Sequence, residues 1–475
     1  MANTADCGTP ASITSVIAQL KSKHDEILQE LVDFASIASI STDPAHAGDM
    51  RIAARWVADK LAAAGPITVR TIETTGNPIV YGEWLGAPGQ MTALVYGHYD
   101  VQPPDPLDKW HSAPFTPTIR NGRLYARGVS DDKGPMLIPI KVAAAFFAVT
   151  RRLPINIKFM FEGEEEIGSP SLDAFIRTNK AMLEADVVLS ADGAMWRIDE
   201  PSLTVASRGL AGLELTLSAA TKDLHSGRHG GGVANPLHAM ARLIASLHDE
   251  DGRVAVPGFY QRVMELGNDE RADIAALPFS EPAYLAQIGA PDTFGERGYT
   301  TLERQWTRPT LEVNGLWGGY VGPGQKTVIP SEAHAKITCR LVPDQNPDEI
   351  VALVSHHLGA HQPPGTRLTV TPGNHGSQAA HIPTNHFALT AANDALFAVY
   401  GTRPLIVRMG GTVPISELFQ RHMGLETVFF SFSVADEDYH APNEFFRIHR
   451  LHEGLEAWAR LWHILGNSPD GEVAR

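Results

Sequence analysis

The chain predicts an α/β protein: a larger domain with a central mixed sheet flanked by helices, and a smaller α+β domain inserted into it. Three observations carry this expectation. Helix and strand signals alternate through the first 190 residues and again from residue 384 onward. The stretch 209–382 changes character, to period-2 strands, two capped helices and a long irregular segment. A length of 475 residues suits two to three domains and a large core. The predicted division is 1–208 with 383–475 for the larger domain, and 209–382 for the insertion.

Taken in order, a helix is predicted over 12–34, with Ile13, Val16, Ile17, Leu20, Ile27, Leu28 and Leu31 on one apolar stripe. A second runs over 50–64 and stops at Gly65-Pro66. Apolar runs at 67–72, 79–84 and 92–98 read as strands, and 136–149 as a helix. Strands follow at 155–161 and 186–190. In the insertion, 213–217 alternates with period 2, and Asn235-Pro236 starts a helix carrying Leu237, Met240, Leu243, Ile244 and Leu247. Asparagine caps the free N–H groups there, and proline in the first turn loses no hydrogen bond. An irregular stretch reaches Pro309, then strands at 311–313, 333–341 and 368–371 flank a helix opened by Pro347. The larger domain resumes near Pro383-Thr384, with strands at 405–409 and 427–433 and a closing helix over 451–465.

A formal charge of −15 argues against nucleic acid or an anionic membrane surface as partner. No apolar run looks long enough to span a bilayer, and MANTADCGTPAS lacks the pattern of a secretory signal. Two cysteines, Cys7 and Cys339, allow one disulfide but no framework, so a reducing, cytoplasmic setting is the simpler expectation. Without a CxxC, any metal site must use histidine and carboxylate. The glycine-rich GRHGGGVAN lacks the Lys-Ser/Thr ending of a phosphate-binding loop.

The chemistry-bearing residues sit beside the strand-like runs. In LVYGHYD, His98 and Asp100 are two apart and point to one side, so the carboxylate can orient a ligating imidazole. In RGVSDDKGP, a tight loop before a helix can present Asp131 to two cations at once. In FMFEGEEEIGS, adjacent side chains diverge, so one of Glu165 and Glu166 can hold a metal and the other act on water. Asp192 follows a short apolar strand, and His440 follows the last one. Strand ends are where open α/β sheets bind ligands. His98, Asp131, Glu166, Asp192 and His440 together offer one imidazole per metal and three carboxylates. Such a set points to a two-metal hydrolase, with zinc as the default ion and manganese or cobalt as alternatives.

GHYDVQP, RGVSDDKGP, EGEEEIGS and the late YHAPNE, in that order, resemble the M20 metallopeptidase family, and most nearly its carnosine-dipeptidase-like branch. The resemblance implies one metal on His98, Asp131 and Asp192, and the other on Asp131, Glu166 and His440, with a cis peptide at Asp131-Asp132. It implies Glu165 as general base and Asp100 as the acid supporting His98. It extends to the insertion, as a lid and dimerisation domain. There KDLHSG places His225 as an oxyanion-stabilising residue that reaches the other subunit of a homodimer, and CRLVP places Arg340 on a substrate carboxylate. KTVIP and GGTVP place Thr327 and Thr412 near substrate. The implied activity is hydrolysis of dipeptides or small peptides with a free C-terminal carboxylate. Its rivals are an N-acyl-amino-acid amidohydrolase or desuccinylase of the same family, and a metal- or peptide-binding protein without turnover.

Overall fold

A computed structural model describes residues 13–373 and 376–467. Cys7 and the first residue of the predicted opening helix, Ser12, lie outside the described residues. The chain divides into two compact units: one made of the chain up to Val205, Ile382–Val407 and the chain from Leu418, the other of Ala206–His381 and Arg408–Glu417.

The first unit is built on a six-stranded mixed sheet in the order Thr68–Ile72, Ile79–Trp84, Asn156–Glu162, Thr92–His98, Val187–Ser190, Thr427–Phe429. The first two junctions are antiparallel and the remaining three parallel. Asn156–Glu162 and Val187–Ser190 are buried throughout, as their near-continuous apolar runs require. Their parallel pairing with Thr92–His98 brings the carboxyl ends of three neighbouring strands to one edge. Helices Ala47–Ala64, Gly134–Thr150, Phe387–Tyr400 and Ile448–Asn467 bury apolar faces in the same core. Trp458 and Trp462 are fully buried, and each large apolar side chain so placed contributes roughly 1.5–3 kcal/mol.

The segment Val129–Thr150 has the length and apolarity of a membrane-crossing helix, which the sequence reading did not allow for. It is a core helix: Met136, Leu137, Ile138, Ile140 and Val142 are buried, and its long apolar run serves packing inside the protein.

The second unit carries a four-stranded antiparallel sheet, in the order Thr310–Gly318, Glu332–Leu341, Gly209–Ser218, Arg367–Pro372. Helices Pro236–Ala245 and Pro347–Ala360 cover one face, against a core of Leu213, Leu215, Met240, Leu243, Ile337 and Val354. Both start as expected, with the Asn235 and Asn346 carboxamides accepting backbone N–H bonds ahead of a proline.

Several elements differ from expectation. The opening helix is two, Ile13–Ser22 and His24–Ala35, interrupted at Lys23. The stretch read as irregular holds three short helices, Asn268–Ala275, Glu281–Ile288 and Thr301–Trp306, too short to show a periodic stripe. The expected strand 427–433 ends at Phe429. The segment Arg408–Glu417 belongs to the second unit rather than the first. Backbone bonds from Met409 to Ala206 and from Arg208 to Gly411, both at 2.8 Å, tie it there.

The closing helix crosses the core helix at Gly454, where a Cβ would lie 2.5 Å from Ile138 Cδ1 and 3.0 Å from Phe432 Cγ. Gly454→Val is expected to destabilise the first unit by about 1–3 kcal/mol through overpacking, read as a lower urea midpoint.

Candidate metal centre

Strand geometry delivers three of the five candidate ligands. His98 ends Thr92–His98, Glu166 stands in the turn after Asn156–Glu162, and Asp192 follows Val187–Ser190. Asp131 arrives differently. It sits in one wide turn, Val129–Lys133, that runs into the core helix, and its own φ/ψ of −125° and 92° is non-helical. The Asp131-Asp132 peptide is cis. His440 lies on a loop in which Asp438, His440 and Asn443 all have φ between 53° and 68°. Asp, His and Asn are the non-glycine residues that most readily accept that left-handed region, so the loop composition suits its path.

The donor atoms converge. His98 Nε2 is 3.0 Å from Asp131 Oδ1, and His440 Nε2 is 3.0 Å from Asp131 Oδ2. His440 Nε2 also lies 3.1 Å from Glu166 Oε2. Two groups can each hold a metal ion, with donor atoms within 4.8 Å of one another: His98, Asp131 and Asp192, and Asp131, Glu166 and His440. One carboxylate therefore belongs to both groups, with one oxygen turned to each imidazole.

Asp100 is buried beneath this set. Its two oxygens accept from the backbone N–H groups of Glu165 at 3.2 Å and Glu166 at 3.1 Å, and Oδ1 lies 3.4 Å from His98 Nδ1. It orients the histidine and the two-glutamate turn together. The other acids of the EGEEE run do not face solvent. Glu162 accepts from the Tyr96 and Ser169 hydroxyls at 2.7 and 3.0 Å, and Glu164 accepts from Asn77 N at 3.0 Å and Ser171 N at 3.2 Å. Both are structural acids, spent on hydrogen bonds.

The electrostatics fit dications. Burial pushes Asp192 up to about 6 and Glu165 well above the usual carboxylate range, each with help from neighbouring carboxylates. The two imidazoles hold Asp131 well below that range against its burial. His440 is pushed up to about 10 by its hydrogen bonds to Asp131 and Glu166. In His98, burial opposes protonation, but Asp100 and Asp131 overcome it and the net shift is upward. Protons on the imidazoles thus do in the bare protein part of what two cations would do better.

Sequence reasoning missed Glu444, the last residue of YHAPNE. Its buried carboxylate accepts from Gly128 N at 2.8 Å, Ser130 N at 3.0 Å, Asp131 N at 3.2 Å and Arg127 Nη1 at 2.8 Å. It joins the Asp131 turn to the loop that carries His440. Glu437 does the same from the other end of that loop, accepting from the Ser130 hydroxyl at 2.6 Å. Gln102 was missed too; its amide donates to Glu166 Oε2 at 2.9 Å. A carboxylate in a loop without a local partner was the only signal available for Glu444.

The remaining sequence-predicted residues lie in the second unit, in two pairs. His225 pairs with Val328 in a short antiparallel ladder, which sets it beside Thr327; its Nδ1 accepts from Gly227 N at 3.0 Å. Arg340 Nη1 donates to Thr412 Oγ1 at 2.9 Å.

Paired imidazole–carboxylate donor groups sharing one aspartate, at the strand ends of a mixed sheet, define a metal-dependent hydrolase. The chain belongs to peptidase family M20/M25/M40, which it matches over residues 94–463. It is 29% identical to the Cys-Gly metallodipeptidase DUG1 of Saccharomyces cerevisiae, over 97% of this chain and 99% of that protein. It is 30% identical to the human Beta-Ala-His dipeptidase, over 95% of this chain and 92% of that protein. Among solved structures, the M20 family metallo-carboxypeptidase Sso-CP2 from Sulfolobus solfataricus superposes with a TM-score of 0.81 at 32% identity, covering 93% of this chain and 99% of that one.

Two predictions follow from the geometry. Metal must displace the proton that His440 holds up to about pH 10, so metal affinity should climb with pH from neutral toward that value. Titration calorimetry in buffers of different ionisation enthalpy should register proton release on binding. Glu444→Gln, which replaces one accepting oxygen by a donor, should weaken metal binding on the order of 10–100-fold in a chelator competition.

Proposed function

We propose that this protein is a dinuclear metallodipeptidase that hydrolyses the peptide bond of dipeptides or small peptides bearing a free C-terminal carboxylate. The observation that carries the reading is Asp131, whose two oxygens face two imidazoles, with Glu165 held next to Glu166 by Asp100. The names of the two sequence relatives, both dipeptidases, support it.

His98, Asp131 and Asp192 would hold one ion and Asp131, Glu166 and His440 the other, zinc being the ion this nitrogen and oxygen donor set suits by default. Bound there, the two ions would polarise the scissile carbonyl and acidify the attacking water. Glu165 takes the proton from that water and passes it to the leaving amine, base becoming acid. Its buried position raises its proton affinity, which suits the second half of that task. Asp100 keeps His98 and the Glu165 turn in register. His225 donates to the developing oxyanion. Its Nδ1 already accepts a backbone N–H, so the neutral ring carries its proton on Nε2. Arg340 receives the substrate carboxylate, with Thr327 and Thr412 as flanking hydroxyls.

The inserted unit serves as lid and dimerisation domain, and the protein works as a homodimer in which His225 acts at the site of the neighbouring subunit. Leu316 and Trp317, exposed on the sheet's edge strand Thr310–Gly318, support a covered edge. The cytoplasm is the proposed setting, in keeping with Cys339 as a buried free thiol.

Glu165→Gln is expected to keep two metals per chain while kcat falls by roughly 10²–10⁴. Near-normal turnover in that variant, or one metal per chain in the wild type, would overturn the mechanism. Dipeptides should be cleaved in preference to their C-terminal amides and to N-acetyl amino acids; the reverse order would point to an amidohydrolase.

A further inference from the structure

Arg208 is a guanidinium without an ion-pair partner among the described residues. It stands just before the strand Gly209–Ser218, in which Leu210 pairs with Arg340 of the antiparallel strand Glu332–Leu341. Alternate residues share a face, so Arg208, Leu210 and Arg340 lie on one side of the sheet. Ala211 and Leu213, pointing the other way, are in the core under the helices. Arg208 and Arg340 are therefore diagonal neighbours on the face that the core does not use.

Each is fastened separately. Arg208 Nε donates to Gly410 O at 2.9 Å, and its backbone N–H donates to Gly411 O at 2.8 Å. Arg340 Nη1 donates to Thr412 Oγ1 at 2.9 Å. One short segment, Gly410–Gly411–Thr412, thus positions both side chains. Arg208 Nη1 is buried with no hydrogen-bond partner. Among the described residues neither guanidinium is in an ion pair. The carboxylate whose charge reaches Arg208, Glu312, is exposed on the edge strand. Burial and the charge of Arg340 push Arg208 down to about 10, so the pair is held together against its own repulsion. Two like charges and a buried unpaired N–H are costly unless an anion completes them.

One carboxylate on Arg340 leaves Arg208 uncompensated. A second carboxylate, on the same terminal residue, would neutralise it. Guanidinium forks match carboxylates one to one. We infer that Arg208 and Arg340 form a seat for a dicarboxylate end, and that the preferred substrates carry an acidic residue, aspartate or glutamate, at their C-terminus. This rests on the proposed role of Arg340 and assigns Arg208 as the residue that selects the side chain.

The test compares Ala-Glu with its neutral isostere Ala-Gln on the metal-loaded enzyme. The wild type is expected to favour Ala-Glu by on the order of tenfold or more in kcat/KM, chiefly through KM. Arg208→Met should bring the two substrates within about twofold of each other, and Arg208→Lys, which keeps the charge without the fork, should fall between. Equal cleavage of the two substrates by the wild type would overturn the inference, as would an equal loss on both in Arg208→Met. Arg340→Met should lose both substrates alike. If it retained both, the α-carboxylate role of Arg340 would fall. A Glu-over-Gln preference abolished by Arg208→Met would still stand.

Discussion

The first unit is organised around a carboxylate that serves two imidazoles. Asp131 turns Oδ1 to His98, 33 residues before it, and Oδ2 to His440, 309 residues after it. Sharing works only if the carboxylate is fixed, since rotation that improved one contact would spoil the other. The structure fixes it through the backbone. Glu444 gathers the N–H groups of Gly128, Ser130 and Asp131 on its two oxygens, and the buried Arg127 donates to one of them as well. The Ser433 hydroxyl donates to Ser130 O, and the Ser130 hydroxyl donates to Glu437. The Asp131 turn and the His440 loop are consequently one hydrogen-bonded body, although more than 300 residues separate them.

A second constraint is the density of buried acid. Asp100, Asp132, Glu162 and Glu444 are buried around the ligands, and each accepts hydrogen bonds that do not involve metal. These acids brace the strand ends and turns that carry the ligands without competing for the ions. They also account for the EGEEE run. Its first two glutamates, Glu162 and Glu164, brace the strand end and the turn, which leaves Glu165 and Glu166 free to face the site.

Much of this was legible in the sequence. The strands 79–84 and 92–98 read correctly to the residue, because each is a buried β-rich run with a clear stop. The donor residues were legible as a set because each followed an apolar run or opened a helix. Local patterns could not show what depends on distant pairing. Lys23 breaks the opening helix although the apolar stripe continues across it. Arg408–Glu417 changes unit because of bonds to Ala206 and Arg208, some 200 residues earlier. Glu444 was quoted within a motif yet had no visible role, because all of its partners lie more than 300 residues away.

Each unit, considered by itself, carries charge that its own residues do not balance. In the first, acids outnumber the cations beside them, and burial drives Asp192 and Glu165 toward their protonated forms. In the second, two arginines share a sheet face without an acid to pair them. A fold that only needed stability would neutralise both, since unpaired buried charge costs several kcal/mol and hydrophobic replacements do not. Retaining opposite imbalances in separate units is sensible if ligands complete them: cations for the acids and an anionic substrate end for the arginines. Metal loading and substrate selection would then be properties of different units, so specificity could change in the insertion without disturbing the ligands that Asp131 holds together.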